Sequence, residues 1–146
     1  MNSEILEEGL GYNFNRAYIL LRREFVRSLA EYNMSPEQWQ VMIALFSAGH
    51  PLNQREIVRL TMKDKPTVSR MIKRLEKNGW IKKTVSQLNG SITIIQPTKD
   101  GMKLKKEVPQ KLESYHTQFL EELGEEDKQT MLRILKKIRF FFGDLS

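Results

Sequence analysis

The sequence predicts a mainly α-helical chain with one small β-hairpin, and three observations carry that prediction. Apolar residues recur at helical spacing through most of the 146 residues. Four helix-start signals, led by Ser35, Asn53, Asp64 and Thr98, punctuate the chain. The period shortens to two only after Gly79, where Asn89-Gly90 separates two short runs as a type I′ hairpin turn requires.

The first long helix is predicted from about Leu10 to Glu31. Phe14, Tyr18, Leu21, Phe25 and Leu29 make one stripe, widened by Ala17, Leu20 and Val26. Ser35-Pro36-Glu37-Gln38 then gives a cap, a proline suited to the first helical turn and a capping-box glutamine. Trp39, Met42, Ile43 and Phe46 are the expected buried face of this second helix, which Gly49 and Pro51 end. Asn53 and Glu56 repeat the capping box for a short helix reaching Thr61. Met62 and Lys63 form a turn, and Asp64 caps the helix that follows.

That helix, Lys65 to Lys77, carries two opposed faces. At about 100° per residue, Val68, Met71, Ile72 and Leu75 share one narrow sector, while Pro66, Arg70, Lys73, Arg74 and Lys77 fall opposite. A core can hold one side while the other meets a polyanion. Gly79 is the expected left-handed stop, with Trp80 placed to touch Leu75. Ile81, Lys83 and Val85 alternate with Lys82, Thr84 and Ser86, and Ile92 to Ile95 return, giving a wing with its tip at Leu88-Asn89-Gly90-Ser91. Thr98 caps a third long segment with a stripe from Leu104 to Leu123, in which Pro109 is expected to bend or break the helix and Gly124 to end it. Glu125, Glu126 and Asp127 open the last helix, whose apolar face is Met131, Leu132, Leu135, Ile138, Phe141 and Phe142. The whole reads as a winged helix-turn-helix at residues 35–101, flanked by a discontinuous helical dimerisation region at 1–34 and 102–146. The flanking helices carry more apolar surface than so small a module needs, and a shared homodimer core buries it most simply.

Composition narrows the function. With 40% hydrophobic and 29% charged residues, the chain has the balance of a soluble globular protein. No apolar run approaches the ~20 residues of a membrane span, and the opening residues have no signal-peptide pattern, which predicts a cytoplasmic location without a membrane partner. The absence of cysteine excludes disulfides and thiolate metal sites. Residues 35–101 hold 11 Lys and Arg against 5 Asp and Glu, so they account for the entire net charge of +6 and leave the ends neutral. A basic excess confined to a helix-turn-helix points to double-stranded DNA.

On the basic helix, Arg70 and Arg74 offer forked donors to base edges, and Thr67 and Ser69 offer small groups near thymine methyls. Pro66 stands beside them at the helix start. Lys65, Lys73 and Lys77 suit phosphates, as do Lys82 and Lys83 at the wing's base. Gln54 and Arg55 open the preceding helix, where free N–H groups can bind a phosphate. Tyr12, Tyr18, Trp39 and Phe46 are the candidates to surround a small hydrophobic effector. His50 and His116 lack acidic neighbours at metal-ligand spacing, so no cofactor or metal is expected. No glycine-rich phosphate loop or nucleophile arrangement marks an enzyme.

Several of these segments together resemble MarR-type transcriptional regulators: Ser35-Pro36-x-Gln38-Trp39-x-Val41, Leu52-x-Gln54-x-Glu56-Ile57, Lys65-Pro66-Thr67-Val68-Ser69-Arg70, Leu75 to Ile81, and Pro97-Thr98-Lys99-Asp100-Gly101. The resemblance spans about Leu10 to Leu135. It implies a symmetric homodimer with intertwined termini, acting as a repressor on a pseudo-palindromic operator, with a small ligand entering between the dimer region and the winged modules. One departure stands out. The family's wing tip usually carries an Asp and one or two Arg, and Leu88-Asn89-Gly90-Ser91 has neither. That departure supports the alternative expectation, a winged-helix interaction module whose basic helix binds a protein or RNA partner.

Overall fold

The computed structural model describes residues 3–86 and 90–145. Seven helices and one hairpin follow in order among them: α1 Ser3–Glu7, α2 Leu10–Leu29, a 3₁₀ turn Ala30–Tyr32, α3 Pro36–Ala48, α4 Gln54–Thr61, α5 Lys65–Lys77, β1 Ile81–Val85, β2 Thr93–Pro97, α6 Lys99–Tyr115 and α7 Thr117–Phe141. The fold is thus mainly α with a two-stranded antiparallel wing, as expected. The chain divides into two compact units, residues 1–109 and 110–146. No helix among the described residues is long and apolar enough to cross a membrane.

The first unit contains the buried core. Leu29, Val41, Met42, Ile57, Val68, Ile72, Leu75, Ile81, Leu104 and Val108 are almost wholly enclosed. Both capping boxes form: Ser35 Oγ accepts the Gln38 N–H at 3.1 Å while Gln38 Oε1 accepts the Ser35 N–H at 2.9 Å. Asn53 and Glu56 exchange bonds of 2.9 and 3.2 Å in the same way. The Asp64 carboxylate accepts the Thr67 N–H at 2.8 Å and opens α5. Asn53 thus starts α4 and Asp64 starts α5 as the sequence indicates.

At its other end α5 stops in a Schellman motif. The Trp80 N–H donates to the Leu75 carbonyl and the Gly79 N–H to the Glu76 carbonyl, both at 3.0 Å. Gly79 takes φ +83°, which glycine adopts without a Cβ penalty. The hairpin pairs Ile81 with Pro97 through Val85 with Thr93. Leu52 adds a third edge, its N–H and carbonyl bonding Ile95 at 2.9 and 2.7 Å. A one-residue bridge leaves no periodic trace in a sequence, so only the structure reveals it. The wing-tip residues Leu88 and Asn89 lie outside the described residues.

Three local expectations need correction. In α3 the buried positions are Gln38, Trp39, Val41, Met42, Ala44 and Leu45, whereas Ile43 is exposed and Phe46 half-buried. Residues 41–46 are apolar without interruption, so periodicity gives no direction, and packing against α2, α4, α5 and β2 sets the buried arc instead. Val85 belongs to β1 but is exposed, so the alternation there does not mark a buried face. Of the bend or break expected at Pro109, the break does not occur, because α6 runs through it to Tyr115. The carbonyl four residues earlier, on Lys105, loses its partner there, but both residues are exposed and water can satisfy it.

In the second unit the break comes at His116, with φ −105° and ψ 15°. Gly124, with φ +79° and ψ 161°, then divides α7 where the sequence expects a stop. Met131, Leu132, Ile134, Leu135, Ile138 and the three phenylalanines 140–142 are exposed on this unit. In the first unit, every residue from Gly11 to Leu21 is exposed as well.

Candidate nucleic-acid interface

The core anchors α5 through Val68, Met71, Ile72 and Leu75, all at most 7% exposed. That anchorage turns Pro66, Arg70, Lys73 and Lys77 outward, and all four are exposed. Lys65 is exposed at the helix start, while Thr67 and Ser69 are half-buried on its flanks. Arg70 Nη2 lies 3.3 Å from Thr67 Oγ1, so the guanidinium is drawn toward the N-terminal turn of the helix. The Thr67 N–H and hydroxyl hold the Asp64 carboxyl below its ordinary range, with the nearby Arg70 charge adding to the effect. The cap therefore remains ionised, and its bond to Thr67 fixes the turn that presents Arg70.

Gln54 is half-buried and Arg55 exposed in the first turn of α4. Lys82 and Lys83 are both exposed at the base of the wing but differ in their surroundings. Lys83 Nζ is 3.7 Å from Glu76 Oε1, which ties the wing to the last turn of α5. Lys82 makes no ion pair among the described residues. A phosphate therefore competes with a carboxylate for Lys83 but not for Lys82.

Arg74 is exposed too, but it lies toward one side of the cationic face. It lines an open cleft of about 500 Å³ together with Arg22, Val26, Ala30, Asn33, Met34, Ser35 and Gln38. Sequence reasoning missed this cleft, because its walls come from α2, the connection after it, α3 and α5. Arg22 is already engaged: its guanidinium donates two bonds to Glu37, at 2.8 and 3.0 Å. The paired guanidinium lowers the Glu37 carboxyl and the carboxylate raises Arg22. Of the aromatic candidates, Trp39 is buried and meets Phe46 edge-on at 5.9 Å between centroids. Tyr12 and Tyr18 are exposed on α2, and none of the four lines the cleft. No group of three or more His, Asp or Glu side chains that could hold a metal ion occurs among the described residues.

The comparisons with known proteins fit this build. Residues 32–90 match the profile of the MarR family. The chain is 26% identical over 125 residues to the uncharacterized HTH-type transcriptional regulator YwoH of Bacillus subtilis (strain 168), covering 86% of this chain and 90% of that one. Among solved structures it is similar to the transcriptional repressor CouR bound to a 23-mer DNA duplex, with a TM-score of 0.82, 26% identity and coverage of 94% and 97% of the two chains. It also shares the fold of CouR from Rhodococcus jostii RHA1 bound to p-coumaroyl-CoA, with a TM-score of 0.77, 17% identity and coverage of 92% and 94%. With its winged helix and the basic face on α5, the chain is similar over most of its length to transcription regulators, and over residues 32–90 to the MarR family.

Proposed function

We propose that two copies of the chain join through their end helices and repress transcription from a pseudo-palindromic operator. The observation that carries this reading is the division of α5, with four apolar side chains locked in the core and the cations opposite them exposed. Arg70 reads a base edge, with Arg74, Thr67, Ser69 and Pro66 beside it. Lys65, Lys73, Lys77, Lys82, Lys83, Gln54 and Arg55 hold the backbone. A repressor of the same fold is bound to a DNA duplex, which supports duplex DNA as the partner here.

A small effector releases the DNA by favouring a spread of the two modules that mismatches the half-sites. The ligand-bound relative supports such control. In this chain the cleft beside α5 is a suitable place: Val26, Ala30 and Met34 offer apolar contact, and Arg74 makes no ion pair among the described residues. Selection from a random pool of duplexes tests the reading. The expected product is a pair of inverted half-sites about one helical turn, 10–10.5 bp, apart, bound with an affinity that falls steeply with salt. Enrichment of RNA alone in a parallel pool, or of no duplex at all, overturns it.

A further inference from the structure

The C-terminal end of α5 is fastened to the roots of both flanking helices. Two side chains just past the helix reach back to the connection that ends α2. Asn78 Nδ2 donates to the Asn33 carbonyl and Trp80 Nε1 to the Tyr32 carbonyl, each at 3.1 Å. The acceptors are consecutive residues, 45 and 48 positions earlier in the chain. Tyr32 and Trp80 also meet edge-on, 6.4 Å between centroids.

Gly79 and Trp80 are held from the other side by the start of α6. The Thr98 hydroxyl donates to the Gly79 carbonyl at 2.6 Å and accepts the Gly101 N–H at 3.0 Å. The Thr98 N–H donates to the Trp80 carbonyl, also at 3.0 Å. Gly101 packs so closely that a Cβ there would lie 2.0 Å from the Trp80 carbonyl oxygen. Any rotation of α2 or α6 must therefore move Asn78–Trp80 and, with them, the end of α5.

We infer that Asn78 and Trp80 are positioning residues that set the separation of the two basic helices, and so the spacer that the protein accepts between half-sites. The inference rests on the proposed homodimer. Helix α5 itself needs neither side-chain bond, since the Schellman motif closes it with backbone groups alone. What these two bonds add is attachment to the end of α2.

The test compares the wild type with Asn78→Ala, Trp80→Phe and the double variant on duplexes whose spacer is changed one base pair at a time. Trp80→Phe keeps an aromatic body and removes the indole donor together with part of the ring. The double variant should lose roughly tenfold of the discrimination between the best spacer and its neighbours, the worth of about two such hydrogen bonds. Binding to an isolated half-site and sedimentation as a dimer should stay unchanged. If Trp80→Phe fails to fold, Asn78→Ala alone should still lose about threefold. Spacer discrimination equal to wild type in the folded variants overturns this inference alone. A wild type that is monomeric, or indifferent to spacer, overturns the proposed dimer as well.

Discussion

Arg70 and Lys73 are both exposed on α5 within one turn of each other, yet they can do different work. A guanidinium bonded to Thr67 near the helix start has a planar fork in the position from which base edges are read. A lysine ammonium offers a point charge, which neutralises a phosphate without identifying a base. Arg70→Ala should therefore cost roughly 1–3 kcal/mol on the selected operator and flatten the preference at one base position. Lys73→Ala should weaken all duplexes alike and reduce the slope of log affinity against log salt by about 1. Fluorescence anisotropy on operator and random duplexes at several salt concentrations separates the two. Equal losses on both duplexes for Arg70→Ala would remove it from base readout. The directions of these side chains were legible because helix geometry fixes them once the buried stripe is known. The attachment of Lys83 to Glu76 was not, since it depends on how the wing folds back onto α5.

Helix starts proved the most legible elements, because a cap is a local device spanning four residues. Ser35, Asn53, Asp64 and Thr98 each bond the N–H that their spacing predicts. The buried face of α3 was illegible for the opposite reason: apolar residues surround too much of that helix, and its neighbours decide which are enclosed. The link between α2 and α3 through Arg22 and Glu37, 15 positions apart, likewise has no periodic signature. That pair makes a prediction of its own. Bonding to Arg22 lowers the Glu37 carboxyl, so its contribution is present above the ordinary glutamate range and is lost as pH falls through the depressed folded value. Since both side chains keep partial solvent access, Glu37→Gln should cost only about 1 kcal/mol at neutral pH. Urea unfolding of wild type and variant should converge as the pH is lowered through that window. A difference that persists or grows in acid would assign the effect to something other than the charge.

At the scale of the whole molecule, charge and apolar surface divide the labour. All of the net +6 lies in residues 35–101, while the ends are neutral and can approach a second copy without net repulsion. On α7, Met131, Leu132, Leu135 and Ile138 are each 36–41% exposed, and Phe141 at its end and Phe142 just after it are nearly 80% exposed. A contiguous apolar face of this kind is uncommon on a monomeric soluble protein. If that face joins two copies, a carboxylate in the middle of it must lose water without gaining a partner. Leu135→Asp combined with Ile138→Asp should therefore shift the chain from dimer to monomer in sedimentation equilibrium. Operator binding should fall by on the order of 100-fold, because two half-sites would no longer be bound by one linked particle. Single half-site binding provides the control, since α5 and its core are untouched by either substitution. A variant that remains dimeric would place the interface elsewhere, whereas a monomer that keeps full operator affinity would separate DNA recognition from dimerisation altogether.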